Sequence, residues 1–590
     1  MKIYHSKKEA LSNELKALNK KYNSVSLLRL VVILLFGFSF YYYIQNSELL
    51  FAGLAFVFFV GFIGLMRMHS KLAFERRIKE ALLKINADEI DYLENNKLPF
   101  ENGIEFNDFN HPYAYDLDIF GEHSLFQNLN RTATFIGKKT LAQQLVKVSS
   151  PEVILQNQAA TQELKDKIDW RQEFSAFAKV TEDTQSSYKA LLQWSTFNSE
   201  SLPKWAVIFS YASPLLLVGG IIGYFATSNL VLLSSLSYLF VLNLIVLGKF
   251  LKRIKLEIAN SDNIDKVIGQ YGVLLEKIET ESFNSPKLIA LQQKLQFKTD
   301  NASVHLKQLS DLFSKNDTIA NLITAVLFNG TFLFNLHVLK SLVAWKNEHA
   351  HALEEWLDVI GEFESLNSMT NFAYNNPVFV YPVLNSDYKI DFENLSHPLL
   401  NSKTRVGNTV CFHPESFMIL TGSNMSGKST FLRSLGVNMV LSGMGAVVCA
   451  TKANVHPLPV LVSMRLSDSL TDSESYFYAE IKRLKQIMNA LENQAAFVLL
   501  DEILRGTNSD DKRNGTIEVV KKMVAKKAIG AIATHDIEVC LTTNDFPTVL
   551  TNKCFEVEIV NDDLHFDYKL RAGVCQNKSA SFLMKKMGVI

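Results

Sequence analysis

Cysteine is scarce in this sequence, and no two cysteines have the spacing of a metal-binding pair. All five lie in the last third of the 590 residues, and none belongs to a CxxC motif. This distribution excludes a disulfide framework and predicts that no zinc is bound. It is typical of a reducing compartment for that part of the chain.

The chain also lacks net charge, with 60 Lys and Arg residues against 60 Asp and Glu residues. No global attraction to nucleic acid follows, so contact with DNA would need a local basic patch. The hydrophobic fraction of 48% excludes global disorder. The length predicts more than one domain.

Charged residues are absent from three long stretches, at 30–47, 49–66 and 205–248. A membrane-spanning helix needs about 20 apolar residues. The first two stretches therefore predict one transmembrane hairpin, and the third, broken at 227–229, predicts a second. Two tight hairpins favour membrane spans over buried helices of a soluble core.

Lysine and arginine flank these hairpins on one side only, and the two short hairpin loops contain neither. The positive-inside rule then predicts a multi-pass protein of the cell (inner) membrane with both termini and the large soluble blocks in the cytoplasm. Membrane lipid is an expected partner.

The stretch 318–339 has no formal charge either, but its polar residues recur on one side of a helix. We expect an amphipathic helix that does not face lipid, rather than a fifth span. The polar positions are Thr318, Asn321, Thr324, Asn329, Thr331 and Asn335.

A glycine-rich loop follows the apolar run 417–420 and opens a helical stretch. This strand–loop–helix order is the context of a P-loop, whose backbone N–H groups surround phosphates at a helix N-terminus. Lys428 is expected to reach the β- and γ-phosphates, and Ser429 to bind Mg²⁺. The predicted nucleotide-binding residues are Gly422, Ser423, Asn424, Met425, Ser426, Gly427, Lys428, Ser429 and Thr430.

Two further apolar runs end in polar residues that suit nucleotide hydrolysis. Asp501 and Glu502 follow 497–500, and His535 follows 529–533 closely. Asp501 is placed to hold Mg²⁺, Glu502 to polarise the attacking water, and His535 to sense the γ-phosphate. Short apolar runs between helices also predict a buried parallel sheet from about residue 388 onward.

At these sites the sequence resembles the MutS family of ATPases, which share the ABC-type arrangement. The loop TGSNMSGKST at 421–430 is close to that family's TGPNMxGKST, and 501–507 resembles its DExxRGT motif. Further similar stretches are the family's signature at 467–480, its HP motif at 397–398, its closing segment at 573–588, and parts of its helical core at 124–137 and 363–382.

The resemblance implies MgATP as the ligand and a composite site in a homodimer. Ser475 then matches the serine that caps the γ-phosphate of the partner subunit. Two departures stand out. No mismatch-reading domain precedes the core, and Val406 lies near where an aromatic residue often stacks on adenine.

The expected fold is an α/β P-loop ATPase domain of the ABC/MutS type plus an α-helical core with two transmembrane hairpins. The predicted segments are hairpin 1 with its N-terminal helix at 1–70, helical core at 71–203, hairpin 2 at 204–253, helical core and lever at 254–385, and ATPase domain at 386–590.

Two function classes stay open at this point. In the first, ATP binding and hydrolysis in a composite dimer site are coupled to DNA binding, as the family resemblance implies, without specific mismatch reading. In the second, an ATP-driven dimer remodels a membrane or protein partner, or signals, with no DNA role. An ABC transporter half is less favoured because no LSGGQ string occurs, and an inactive scaffold because the motif residues are all present.

Overall fold

The computed structural model describes residues 1–95, 97–258, 264–317, 322–465, 476–560 and 563–575. Helices dominate the chain as far as residue 375, and an α/β domain follows. The helices before that domain are α1 (Lys2–Asn46), α2 (Leu49–Asn95), α3 (Leu125–Leu129), α4 (Phe135–Leu145), α5 (Pro151–Asp166), α6 (Ile168–Lys179), α7 (Gln185–Thr196), α8 (Lys204–Thr227), α9 (Leu230–Ile258), α10 (Ile264–Glu279), α11 (Pro286–Gln293), α12 (Ala302–Asp317), α13 (Leu322–Phe332) and α14 (Phe334–Asn375).

Helices α1 and α2 form one long antiparallel pair. Helix α1 ends where Ser47 adopts the left-handed conformation and its N–H donates to the Tyr43 carbonyl over 2.8 Å. The halves of α1 and α2 next to this turn expose large apolar side chains. The opposite end of α1 reaches the end of α14, where the Tyr4 hydroxyl donates to Asn375 Oδ1 over 2.8 Å.

Helix α14 is the central element of the helical core, and it packs against α4, α5, α7 and α12. Its apolar side chains Trp356, Leu357 and Phe363 are buried. This core is continuous with that of the α/β domain, because Phe363 and the strand residue Phe497 belong to one buried cluster.

The α/β domain contains a six-stranded sheet in the order β12-β11-β6-β10-β9-β8 and a four-stranded sheet in the order β3-β7-β4-β5. Five strands of the larger sheet are parallel, and only β12 is antiparallel to its neighbour. The strands are β1 (Gln296–Phe297) and β2 (Asp300–Asn301) in the helical core, then β3 (Val383–Leu384), β4 (Ile390–Leu395), β5 (Asn408–Phe412), β6 (Phe417–Gly422), β7 (Lys452–Val455), β8 (Val460–Ser463), β9 (Phe497–Asp501), β10 (Ile529–Ala533), β11 (Leu550–Val560) and β12 (Asp563–Ala572).

Four α-helices lie between the strands in the described part of this domain. They are α15 (Lys428–Met444), α16 (Tyr476–Asn493), α17 (Ser509–Ala525) and α18 (Ile537–Cys540). Every residue of β6, β9 and β10 is buried. That burial is why these strands read as continuous apolar runs instead of an alternating pattern.

Four helices within the described ranges are long and apolar enough to cross a membrane, namely α1, α2, α8 and α9. The two hairpins that the sequence predicts therefore exist as helical hairpins with outward-facing apolar side chains. Membrane insertion itself stays a prediction, and so does the division into five segments.

The prediction for 318–339 is wrong in one respect. Within its described part, α13 exposes apolar Leu327, Phe328 and Phe332, whereas polar Asn329 is 1% exposed. Helices α13 and α14 meet at an angle of 77°. Thr318 and Asn321 lie outside the described residues. Asn329 is directed inward, and the Asn329 amide and the Thr331 hydroxyl both donate to carbonyls of their own helix.

Candidate nucleotide-binding site

The candidate site lies where the carboxyl ends of three adjacent parallel strands meet. Strand β10 lies between β6 and β9, and Ala533 pairs with both Leu420 and Asp501. The glycine-rich loop follows β6, the two acids lie at the end of β9, and His535 follows β10. The register therefore brings together residues that are more than 100 positions apart in the sequence.

The glycine-rich loop turns directly into helix α15, as its sequence predicts. Gly427 has φ of +100°, and a Cβ at this position would lie 3.0 Å from the Tyr568 ring. The backbone conformation thus favours glycine, and the nearby Tyr568 ring leaves little room for a side chain. The loop's N–H groups and the start of α15 form the N-terminal anion site that such a turn provides.

Lys428 lies across the loop instead of extending into solvent. Its ammonium donates to the carbonyls of Gly422 and Ser423 over 2.9 and 3.0 Å. Burial lowers the pKa of Lys428, and the nearby Glu502 and Asp501 oppose that shift. The side-chain oxygens of Ser423 and Ser426 are buried without a hydrogen-bond partner in the described part of the chain, so the loop offers hydroxyl groups to a ligand.

Asp501 has the surroundings of a cation ligand. Its carboxylate is 6% exposed, and Oδ1 has no partner among the described residues. Burial raises the pKa of Asp501, and a hydrogen bond from Ser429 opposes that shift. A buried carboxylate with a free oxygen beside a serine hydroxyl is an oxygen donor set that suits Mg²⁺.

Glu502 and His535 form a direct pair in this site. His535 Nε2 lies 2.5 Å from Glu502 Oε1, and Arg505 lies 3.2 Å from the other carboxylate oxygen. The pKa of Glu502 is lowered to about 2, chiefly by the hydrogen bond with His535. Glu502 is therefore ionised and held in one orientation at neutral pH.

A pocket of about 550 Å³ extends from the glycine-rich loop. Besides the loop residues and Glu502, it is lined by side chains to which the sequence reasoning assigned no site role, among them His397, Asn408, Phe555 and Tyr568. Val406 also lines the pocket but has no aromatic ring. Tyr568, which lines the same pocket, supplies one. Tyr568 comes from β12, and no local sequence pattern marks it.

Burial keeps His397 neutral in this pocket, because it lowers the pKa of the imidazole to about 4. Asn408 Nδ2 donates to the Tyr568 carbonyl over 3.0 Å, and its Oδ1 accepts from the Leu570 N–H over 2.8 Å. Two hydrogen bonds from β5 therefore fix the part of β12 that carries Tyr568.

Ser475 lies outside the described residues, as does most of the signature at 467–480. Glu480 from that signature is described. Its carboxylate accepts from the Arg505 N–H over 2.9 Å, and Arg505 in turn donates to the Glu502 carbonyl over 3.0 Å. The helix after the signature is thus connected to the turn that follows the two acids.

This geometry is that of a P-loop domain with an acid pair and a histidine at the ends of neighbouring strands. Residues 418–588 match the family model described as MutS domain V. The last third of the chain is therefore similar to the MutS family.

Several curated proteins of this family are similar to part of the chain. The DNA mismatch repair protein MutS of Thermotoga maritima is 24% identical over 55% of this chain and 38% of its own length. The MutS of Methanococcoides burtonii is 29% identical over 41% of this chain and 28% of its own. MutS protein homolog 4 of Homo sapiens is 27% identical over 39% and 25%. The chain thus spans about a quarter to two fifths of the length of these relatives.

Proposed function

We propose that this chain is a membrane-anchored MutS-like ATPase that binds and hydrolyses MgATP in a composite dimer site. The observation that carries the proposal is the convergence of Lys428, Asp501, Glu502 and His535 at the ends of three adjacent strands. Catalysis of phosphoryl transfer depends mainly on positioning and electrostatic stabilisation, and these residues provide both.

The residues from 422 to 430 would hold the nucleotide phosphates, with Lys428 as the point charge among them. Asp501 and Ser429 would hold Mg²⁺, which when bound supplies positive charge against the phosphate oxygens. The unpartnered oxygen of Asp501 supports this assignment. Tyr568 and His397 would face the base end of the nucleotide.

Glu502 is the proposed general base that orients and polarises the attacking water. Its carboxylate is ionised at neutral pH and fixed by His535 and Arg505. His535 is both an orienting partner and the proposed γ-phosphate sensor. The family resemblance adds Ser475 from a second copy of the chain, so a homodimer is required for turnover.

The four apolar helices α1, α2, α8 and α9 are the proposed membrane anchors, with the ATPase domain in the cytoplasm. Support comes from their exposed apolar side chains and from the basic residues at one end of each hairpin. The named bacterial and archaeal relatives are DNA mismatch repair proteins. We therefore propose DNA as the partner of the helical core.

A second candidate is an ATPase that remodels a membrane or protein partner without DNA. Hairpin 1 favours it, because α1 and α2 are unbroken helices that extend from the apolar end of the hairpin to the region of helix α14. The absence of net charge is consistent with it as well.

The decisive experiment measures ATP turnover by the detergent-solubilised full chain. We expect Glu502→Gln to retain ATP binding and to lose about 10²–10⁴-fold in turnover, the usual contribution of a general base. Glu492→Gln, at an exposed ion pair with Lys526, is the matched control and should turn over normally. Equal rates for both variants would remove Glu502 from the mechanism.

The same assay separates the two candidates. Homoduplex, mismatched and branched DNA are added at about 50 and 200 mM salt, because phosphate contacts weaken steeply with salt. Stimulation that falls with salt supports the DNA role. An unchanged rate with all three DNAs, in a chain that hydrolyses ATP, supports the second candidate.

Membrane topology is tested by cysteine labelling in intact cells. Cysteines at Asn46 or Ser228 should react with an impermeant thiol reagent, and cysteines at Lys79 or Lys315 should not. The exposed native Cys411 serves as the internal control and should react only after permeabilisation. External reaction at Lys315 would contradict a cytoplasmic ATPase domain.

A further inference from the structure

The short helix α13 leaves the helical core and returns to it on the same side. Helix α12 before it and helix α14 after it both pack in that core, and they contact each other. A single crossing of a membrane is therefore excluded for α13. The 77° angle between α13 and α14 directs α13 towards hairpin 2, where it contacts α9 and α8.

The outward face of α13 is apolar. Leu327, Phe328 and Phe332 are 54%, 46% and 49% exposed. These three side chains continue the exposed apolar surface of α8 and α9, to which Ile208, Val241 and Ile245 belong. An exposed apolar face of this kind requires a covering partner.

The polar groups of α13 are satisfied within the protein. Asn329 Nδ2 donates to the Ala325 carbonyl over 2.8 Å, and Asn329 Oδ1 accepts from the Asn335 N–H over 2.9 Å, across the break before α14. The Thr331 hydroxyl donates to the Leu327 carbonyl over 2.6 Å. A helix break within lipid is tolerated when its freed backbone groups are bonded in this way.

A polar latch holds α13 against hairpin 2. Asn243 of α9 is fully buried, donates to the Gly330 carbonyl over 2.7 Å, and accepts from the Ser213 hydroxyl of α8 over 2.6 Å. Gly330 is required here, because a Cβ would lie 2.2 Å from the Phe240 ring. The Asn243 side-chain amide thus joins α8, α9 and α13 at one level.

This latch lies inside the boundary that aromatic and basic side chains mark. Trp205 is 5.8 Å from the Lys249 ammonium, and Tyr211 accepts from Lys340 over 3.1 Å. Asn243 precedes Lys249 by six residues, which corresponds to about 9 Å along a helix. Aromatic residues and lysines gather at the membrane–water interface, so the Gly330 level falls within the acyl region.

We propose that α13 is embedded in the leaflet on the side of the ATPase domain, with Leu327, Phe328 and Phe332 against lipid acyl chains. The proposal rests on the membrane anchoring by α8 and α9 under the proposed function. Its consequence is that α14 runs unbroken from a membrane-embedded turn to the edge of the ATPase domain.

The test uses the full chain in phosphatidylcholine–phosphatidylglycerol vesicles, with a fluorophore on a single cysteine and a nitroxide on the lipid acyl chains. The labelled positions are Leu327 on α13, Val241 on α9 and Lys315 on α12, in a background in which Cys411 is serine. We expect comparable loss of fluorescence at Leu327 and Val241 and little loss at Lys315.

Each outcome has a distinct meaning. Quenching at Val241 but not at Leu327 would mean that lipid does not cover α13. That outcome would overturn the proposal and leave the membrane anchoring intact. Absence of quenching at both positions would overturn the anchoring itself. Asn243→Ala should reduce quenching at Leu327 and leave Val241 unchanged, whereas Ser234→Ala, at an exposed hydroxyl bonded within its own helix, should change neither.

Discussion

At the scale of single residues, Lys428 is the positively charged side chain of the predicted phosphate loop. Its ammonium is held by two loop carbonyls inside the pocket, and burial lowers its pKa. Arg405 also lines this pocket, but Lys428 is the cationic side chain that belongs to the phosphate loop itself. A ligand phosphate would therefore gain its main ionic contact in this loop from Lys428.

Replacing Lys428 by alanine should weaken nucleotide binding itself. Hydrogen bonds to charged groups contribute about 1.5–3 kcal/mol each, which corresponds to roughly ten- to hundredfold in affinity. Titration with a fluorescent ATP analogue measures the loss. The control is Lys527→Ala, at an exposed pair with Glu415. Near-normal affinity in Lys428→Ala would argue against the phosphate-loop assignment.

Glu502 makes a prediction about pH. Its pKa is about 2 in the folded protein, below the ordinary value of 4.5. A group with a lowered pKa contributes stability above its ordinary pKa, and this contribution is lost as the pH falls towards the folded value. The stabilising contribution of the charge should thus be constant above about pH 4.5 and should disappear between pH 4.5 and 2.

Thermal unfolding of the wild type and of Glu502→Gln measures this contribution as the difference between two melting temperatures. We expect the difference to be constant from pH 7 to about 4.5 and to shift against the wild type at lower pH. For Glu492→Gln, the difference in melting temperature from the wild type should change with pH only as much as an ordinary exposed carboxylate would change it. A difference that does not depend on pH would contradict the Glu502–His535 pairing.

At the scale of elements, the loop before α3 supports the strand that leads to the signature segment. Asp116 is 2% exposed, and its carboxylate accepts from the N–H groups of Met464 and Arg465 over 2.8 Å each and from Arg483 over 3.3 Å. Asp118 pairs with Arg465 and with Arg433 of α15. The helical part of the chain thus fixes both sides of the segment that contains Ser475.

We expect Asp116→Asn to destabilise this junction by about 1–3 kcal/mol, because a charged acceptor of buried N–H groups is lost. Amide hydrogen exchange is the measurement, and exchange should accelerate at Met464 and Arg465 while β9 and β10 stay protected. The control is Asp510→Asn, whose exposed carboxylate pairs only locally with Arg513 among its described contacts. Unchanged exchange at both amides would show that the junction does not depend on this loop.

Elements whose environment is uniform could be predicted from the sequence. The strands β6, β9 and β10 are buried on both faces, so a continuous apolar run was sufficient to predict them. The phosphate loop, Asp501, Glu502 and His535 follow from their positions directly after these runs. The helices α1, α2, α8 and α9 each contain a long charge-free stretch, and these stretches predicted the two helical hairpins equally well.

Elements that depend on distant neighbours could not be predicted. Helix α13 shows a polar stripe, yet Asn329 is buried because its amide bonds the backbone at the break. Tyr568 reaches the nucleotide pocket only because β12 pairs with β11 and because Asn408 of β5 bonds its carbonyl. Neither arrangement leaves a local periodicity in the sequence.

At the scale of the whole molecule, both helical hairpins are fixed to α14. Glu89 of α2 accepts from Asn371 and Asn375 near the end of α14, over 2.9 and 2.8 Å. In the first half of α14, Lys346 forms a buried ion pair with Glu257 of α9 over 2.6 Å. Both hairpins are thus fixed to the same helix, which continues to the α/β domain.

The proposed homodimer makes the last prediction at this scale, because the proposed composite site would need residues from two chains. Helix α16 begins at Tyr476, immediately after Ser475, and a helix N-terminus favours an anion. In the family resemblance that anion is the γ-phosphate bound by the partner subunit. Ser475→Arg should therefore retain nucleotide binding and lose ATP-driven dimer closure and hydrolysis.

Mixing Ser475→Arg with Glu502→Gln tests the composite site directly. One site of the heterodimer then combines wild-type Glu502 from one chain with wild-type Ser475 from the other. Differently tagged chains allow the heterodimer to be purified, and its turnover should be about 10²-fold or more above that of either variant alone. If Ser475 only caps its own helix, a role worth about 1 kcal/mol, the purified heterodimer would show no such gain, and the site would be complete within one chain.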